Sequence, residues 1–234
     1  MKAKSIIPNL YVINLGNVNA FLLTASELTL IDTGYPGSEG KILQAVTALG
    51  HKPASIRHIL LTHCHPDHAG SLAALQQATG ATTYAHPLDA PAIRAGAVAK
   101  SLTPTPKLLQ RLLFRLFIQG LSPTYPAAKV DREINDGEAL PLAGGLRVLH
   151  TPGHSAGHVA FFWPQHGGVL IAGDTCANLP TLDYSPGYDD FAQGQRTLGK
   201  LTQLDFAAIG FGHGSAITKD ATAKFRRRWR TLHQ

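Results

Sequence analysis

The stretch Leu60-Leu61-Thr62-His63-Cys64-His65-Pro66-Asp67-His68-Ala69-Gly70 constrains this chain more than any other. Three imidazoles and a carboxylate fall within six positions, directly after the apolar run 56–61. In extended backbone, residues two apart face the same side, so His63 and His65 can reach one metal ion together. Pro66 suits the first position of a helix, where its missing N–H costs nothing. Asp67 and His68 then project from a helix N-terminus toward a second position beside the first. The plain alternative, a polar loop with chance histidines, does not account for the matching residues elsewhere in the chain.

Those residues come in three further places. Thr151-Pro152-Gly153-His154-Ser155-Ala156-Gly157-His158 follows an expected strand, Ala172-Gly173-Asp174-Thr175 ends the next hydrophobic hairpin, and Gly210-Phe211-Gly212-His213-Gly214 ends the last strand. Each sets a ligand type beside glycines at the end of an expected strand, where loops carry function on a rigid scaffold.

Hydrophobic periodicity organises the rest. Strands are expected over 10–15, 20–24 and 28–32, followed by a helix over 38–49 with Ile42, Leu43, Val46 and Leu49 on one face and Gly50 as its stop. A buried strand over 56–61 precedes the histidine stretch, a helix through Leu72 and Leu75 closes near Gly80, and a strand covers 82–85. From 87 to 129 the texture changes to two helical pieces, 89–100 and 107–119, split by Thr103-Pro104-Thr105-Pro106. The second piece is basic and amphipathic, and its default reading is packing on the core. Strands return at 130–134, 146–149, 159–163 and 169–172, and helices over 190–204 and 220–232 flank a strand at 207–211. Strands with helices at both ends of the chain predict two sheets packed face to face with helices outside. The halves share an order, a strand ending in Asp32 or Asp174, a helix, then a strand leading to His63 or His213, which hints at an internal duplication.

Composition narrows the classes. The chain is 44% hydrophobic and 15% charged, as for an ordinary globular protein, and its net charge of +6 is too scattered to argue for nucleic acid. The densest basic run, Arg226-Arg227-Arg228-Trp229-Arg230, reads as a solvated terminal helix. Cys64 and Cys176 are the two cysteines and read as small packing residues of a reduced, cytoplasmic protein. Pro8, Asn9, Asn14, Asn17 and Asn19 interrupt any leader-like run, so neither a signal peptide nor a membrane span is expected. His86 reads as a neighbour of the ligand set, while His51, His58, His150, His166 and His233 read as surface or packing residues.

Taken together, His63-x-His65-x-Asp67-His68, His154, Asp174 and His213 resemble the metallo-β-lactamase superfamily of αββα hydrolases, with the metal motifs in order along nearly the whole chain. The resemblance implies an α/β four-layer αββα sandwich, one domain over 1–234 with a helical cap insertion at about 87–129. It implies a dinuclear site: His63, His65 and His154 on one metal, Asp67, His68 and His213 on the other, and Asp174 bridging. Asp32 and His158 would order the ligand loops. Imidazole and carboxylate ligands without thiolate suit two zinc ions, and also iron or manganese. The implied reaction is hydrolysis by a metal-bridging hydroxide that Asp67 orients, without a protein nucleophile.

Among the relatives, Asp174 stands where β-lactamases of the superfamily carry Cys or Ser. It resembles instead the glyoxalase II and lactonase branch, so the expected substrate is a small-molecule ester, lactone or thioester. The lactonase tyrosine position holds Ala177; Tyr184 of the loop 179–188 reads first as an ordinary loop tyrosine, with substitution for the lactonase tyrosine as the alternative. Only one helix follows His213, which weakens a glutathione thioesterase reading. β-Lactam or phosphodiester hydrolysis, an iron-dependent sulfur dioxygenase and a non-catalytic metal-binding scaffold remain the alternatives. The helix 107–119 is expected to form a lid, with Leu112, Phe114, Phe117 and Ile118 toward an apolar part of the substrate; packing on the core or a homodimer contact are its other uses.

Overall fold

The computed structural model describes residues 3–98, 100 and 102–232, so His233 lies outside it. Strands β1 (Lys4–Ile7), β2 (Leu10–Asn14), β3 (Asn19–Leu23) and β4 (Leu28–Ile31) form an antiparallel meander. Strand β5 (Ile56–Leu60) then joins β4 in parallel, and β6 (Thr82–Ala85) joins β5 in parallel. Parallel neighbours need a crossover. Helix α1 (Glu39–Ala48) supplies the first, and the single turn α2 (Pro66–Ala69) with α3 (Leu72–Thr79) supplies the second. After α4 (Ala90–Ala95), the short strand β7 (Thr103–Pro104) and α5 (Leu108–Phe117), β8 (Arg132–Glu133) completes this sheet beside β6.

The second sheet starts with β9 (Ala139–Leu140), β10 (Leu146–His150), β11 (Val159–Trp163) and β12 (Val169–Ile171), all antiparallel. A hairpin of β13 (Ala177–Asn178) and β14 (Leu182–Asp183) follows, and β15 (Gly187–Tyr188) pairs with β7. Helix α6 (Phe191–Leu201) leads to β16 (Ala208–Gly210), parallel to β12, and α7 (Ala221–Trp229) packs outside. The duplication hinted at in the sequence thus has a topological counterpart: in each half the strand before the aspartate pairs in parallel with the strand before the histidine.

Three apolar clusters separate the four layers of an αββα sandwich. Alternation sorts neighbouring side chains between them: Leu22, Leu30 and Ile59 lie under α1 and α3, while Phe21, Ile31 and Leu60 meet Val148, Phe161 and Ile171 between the sheets. On the other face of the second sheet, Ala160, Leu170 and Ile209 pack with Leu198, Phe225 and Trp229 of the outer helices.

Some expectations need correction. The strand expected over 130–134 shrinks to β8, and the helix expected over 89–100 ends at Ala95. Gly96 turns left-handed there because the backbone of Tyr125 and Ala127 lies against it, and a Cβ would collide with the Tyr125 carbonyl oxygen. Strand β1 escapes the periodicity because it is a partly exposed edge of four residues. The terminal basic run is no free patch: Arg226 donates to the Thr202 and Leu204 carbonyls, Arg228 to Leu182 O and Asp183, and Phe225 and Trp229 are buried.

The 87–129 segment is also more than a cover. Ala90, Ile93, Tyr125 and Ala128 belong to the first core cluster. Its helix α5, however, does not pack its leucines inward. The turns bury Gln110, whose Nε2 donates to Tyr184 O at 3.4 Å, and leave Leu108, Leu112 and Leu116 at 87, 52 and 63% exposure. No helix among the described residues is long and apolar enough to cross a membrane.

Candidate metal centre

All the expected ligands converge at the C-terminal ends of β4, β5, β10, β12 and β16. Asp32 directly follows β4 with φ +63°, which turns its carboxylate under the histidine loop. His65 is extended (φ −69°, ψ 152°) and caps α2, so Pro66 does begin the helix and throws Asp67 and His68 forward. Among the described residues, His63, His65 and His154 form one group whose ligand atoms lie within 4.8 Å of one another. His63, Asp67 and His68 form a second group on the same criterion, and His68, Asp174 and His213 a third.

Asp174 lies between the sets. Its Oδ2 is 3.5 Å from His154 Nε2 and 3.1 Å from His213 Nε2, while Oδ1 is 3.4 Å from His68 Nε2. Asp67 Oδ2 is 3.3 Å from His213 Nε2 and 3.7 Å from His68 Nε2. His65 turns Nδ1 inward, 2.9 Å from His154 Nε2.

The outward nitrogens explain why the others point in. His68 Nδ1 donates to Asp32 Oδ2 at 2.9 Å, His154 Nδ1 to the Gly187 carbonyl at 2.8 Å, and His213 Nδ1 to the Asn17 carbonyl at 2.6 Å. Thr62 gives its hydroxyl proton to Asp32 and leaves its oxygen to accept from His63 Nδ1 at 2.9 Å. With each Nδ1 engaged as a donor, the neutral rings carry their lone pairs on Nε2. His63 Nε2, His68 Nε2 and Asp174 Oδ1 are buried and have no hydrogen-bond partner. Buried polar atoms are ordinarily satisfied, and converging imidazole and carboxylate lone pairs suit divalent cations. The donor set therefore fits such ions.

Electrostatics divides the set in two. Burial, and then the neighbouring imidazoles, drive His63 well below its ordinary pKa, and burial takes His65 and His154 down to about 4. Burial opposes charge on His68 as well, but Asp174, Asp67 and Asp32 outweigh it and raise His68 to about 9. His213 is likewise raised well above its ordinary value, against burial, chiefly by Asp174 and Asp67. Burial in turn opposes ionised Asp67 and Asp174, yet His68 and His213 hold both well below the usual carboxylate range. Without metal, protons on these two histidines balance the two carboxylates.

Other expected residues fall as follows. His158 lies outside the ligand groups: its Nδ1 donates to Thr151 Oγ1 at 2.8 Å and its Nε2 accepts from Asp174 N at 2.9 Å, so it positions Asp174. Asp32 holds both His68 and the Thr62 backbone. His86 stands outside the ligand groups, stacked on His150 with ring centroids 4.2 Å apart. Cys64 and Cys176 are buried, and burial raises both thiols, Cys176 to about 12, which suits packing and not nucleophilic attack.

Over the ligands opens a cavity of about 780 Å³, whose lining includes His65, Asp67, His154, Asp174 and His213 together with Phe114, Phe117 and Tyr184. Phe114 is half-buried and Phe117 is exposed at 46%. Tyr184 packs its ring against Phe191 and Trp229, and its hydroxyl accepts from Gln195 at 3.2 Å. Tyr35 also lines the cavity, and burial followed by the Asp67 charge keeps its hydroxyl protonated.

Sequence reasoning missed Asp89. This buried carboxylate accepts from Cys64 N at 3.0 Å, Ser155 Oγ at 2.7 Å and Gly157 N at 2.7 Å, clamping the His63–His65 loop to the His154 loop. Tyr125 adds a hydrogen bond to Cys64 O at 2.6 Å. No local spacing signals either residue, since their partners lie 25 to 68 positions away in sequence.

Residues 13–213 match the family model of the metallo-β-lactamase superfamily. The chain belongs to that superfamily. Its relatives include a Bacillus subtilis protein named as a probable metallo-hydrolase, 25% identical over 87% of this chain and 69% of that one. The chain is 37% identical to the uncharacterised Bacillus subtilis protein YobT over 67% of this chain and 61% of that one. It is 31% identical to a hydroxyacylglutathione hydrolase of Albidiferax ferrireducens over 60% of this chain. The match spans only 41% of that relative's length. The metallo-β-lactamase BJP-1 of Bradyrhizobium japonicum shares the fold, with a TM-score of 0.76, 23% identity and coverage of 100% of this chain and 91% of that one.

Removing the clamp should loosen both ligand loops. Asp89→Ala leaves three buried donors without an acceptor, and urea denaturation should show a loss of roughly 3 kcal/mol. A loss below about 1 kcal/mol would show that water replaces the carboxylate without cost.

Proposed function

We propose that this protein hydrolyses an ester, lactone or thioester at a dinuclear centre. The observation that carries the reading is the Asp174 carboxylate, shared between His154 on one side and His68 and His213 on the other, beneath a largely apolar cavity. His63, His65 and His154 would hold one cation, Asp67, His68 and His213 a second, and Asp174 both. Zinc suits these ligands first, with iron or manganese as substitutes. Such cations would supply Lewis acidity toward a carbonyl oxygen and acidify a water molecule.

The chain's own residues do the remainder. Asp67, kept ionised, can accept a proton and orient the attacking water. The Tyr35 hydroxyl, kept protonated, can donate a hydrogen bond at the cavity wall. Phe114 and Phe117 present apolar surface to an acyl portion, and their bulk excludes water. Both thiols are buried and protonated, in keeping with a reaction that uses no cysteine nucleophile.

Elemental analysis of metal-replete protein should approach two metals per chain, with Asp174→Ala lowering both occupancies. In a panel of a lactone, a thioester, nitrocefin and a phosphodiester, acyl substrates should turn over best. A stoichiometry that stays at one removes the bridging role, and preference for nitrocefin or the phosphodiester removes the acyl assignment.

Metal binding should also release protons. In the metal-free chain His68, with its pKa raised to about 9, and His213, raised well above its ordinary value, are charged at neutral pH, whereas ligation needs neutral rings. Apparent metal affinity should therefore rise with pH up to about 9 and fall as pH drops. Calorimetry in buffers of different ionisation enthalpy measures this release directly; zero protons released at neutral pH contradicts the assignment.

Phe114→Ala should shift preference among acyl-chain lengths by about tenfold while metal content stays full. An unchanged chain-length profile places substrate selection elsewhere, with the loop 179–188 as the next candidate.

A further inference from the structure

Helix α5 shows solvent the wrong face for a free surface. Leu108, Leu112 and Leu116 recur every fourth residue and are exposed at 87, 52 and 63%, making an apolar stripe about 12 Å long. Leu109 and Leu121 extend the exposed apolar surface at 46 and 48% exposure, and Leu179 adds to it at the same cavity. Large contiguous apolar surface of this kind marks an interaction site.

Charge says what covers it. Between Asp89 and Asp131 the sequence holds Arg94, Lys100, Lys107, Arg111, Arg115 and Lys129 and not one acidic residue. Three of these cations have carboxylate partners nearby: Arg94 pairs with Glu133, Lys107 with Asp183 and Lys129 with Asp131. Arg111 and Arg115 are exposed, flank the leucine stripe on one side of the helix, and make no ion pair among the described residues. A second copy docking through this stripe about a two-fold axis would set the same cation-rich patch against itself. An anionic surface with an apolar interior satisfies leucines and arginines together, as it does for helices that lie in a lipid interface.

We propose that α5 docks this protein onto an anionic lipid bilayer, with Leu108, Leu112 and Leu116 entering the interface and Arg111 and Arg115 meeting lipid phosphates. The docking does not depend on which bond the metal centre cleaves. It brings the cavity mouth to the membrane surface, because Leu108, Arg111, Leu112 and Arg115 themselves line the cavity.

Flotation of the full-length protein with vesicles tests this. Vesicles of phosphatidylcholine and phosphatidylglycerol in equal amounts should carry the protein, and added salt should release it. Vesicles of phosphatidylcholine alone should carry at least tenfold less. Arg111→Glu/Arg115→Glu should weaken partitioning by about tenfold or more, and Leu108→Ser/Leu112→Ser/Leu116→Ser should abolish it. All these side chains are solvent-exposed, so both variants should melt at the wild-type temperature. Failure to float with anionic vesicles, or equal partitioning onto both kinds, overturns the proposal. So does a concentration-dependent dimer in light scattering that the serine variant alone dissolves, which assigns the stripe to a second copy.

Discussion

Four hydrogen bonds made by the outward Nδ1 atoms of His63, His68, His154 and His213 fix the centre on which this structure depends. Lone pairs turned toward one another repel, and nothing in an apolar core would hold them so. Each bond points a ring by fastening its far side to an acceptor: Asp32 for His68, Thr62 for His63, and backbone carbonyls of Gly187 and Asn17 for the other two. The acceptors come from both halves of the chain, so the halves must be docked before the centre exists. Asn19 contributes to that docking, donating from Nδ2 to Phe211 O and Gly214 O and from its backbone N to Gly212 O.

Close approach follows from the same requirement. A Cβ on Gly212 would overlap the Asp174 carboxylate, and one on Gly173 would press on His158 and Thr62. Glycine at these two places lets backbone come within reach of the ligands. Burying carboxylates is costly unless they are paired, and His68 and His213 offset Asp67 and Asp174 until cations take their place. The centre is thus a site of stored electrostatic cost, kept in place by the two sheets and by the Asp89 clamp.

Helix α5 obeys a different balance. An amphipathic helix on a globular protein normally turns its leucines to the core. Here one polar side chain, Gln110, is turned inward beside the Tyr184 carbonyl, while Leu108, Leu112 and Leu116 are exposed, the first two at the cavity. The inner turn still offers Phe114 to the substrate space. Leu108 and Leu112 are exposed and line the same cavity, so the apolar surface of α5 runs from the cavity to the outside of the protein.

The sequence by itself determined the local geometry. His63, His65, Asp67 and His68 could be read because extended backbone and a helix start impose fixed periods, and the strands could be read because alternate residues must reach opposite clusters. Only the tertiary structure decided Asp89, Tyr125, Asn17 and Tyr35, whose partners are 18 to 196 residues away. It also decided which way α5 faces. Periodicity defines an apolar face but not the side on which the protein lies, and that choice depends on contacts of α5 with β7 and β15 and of Gln110 with Tyr184 that form only when the chain is folded.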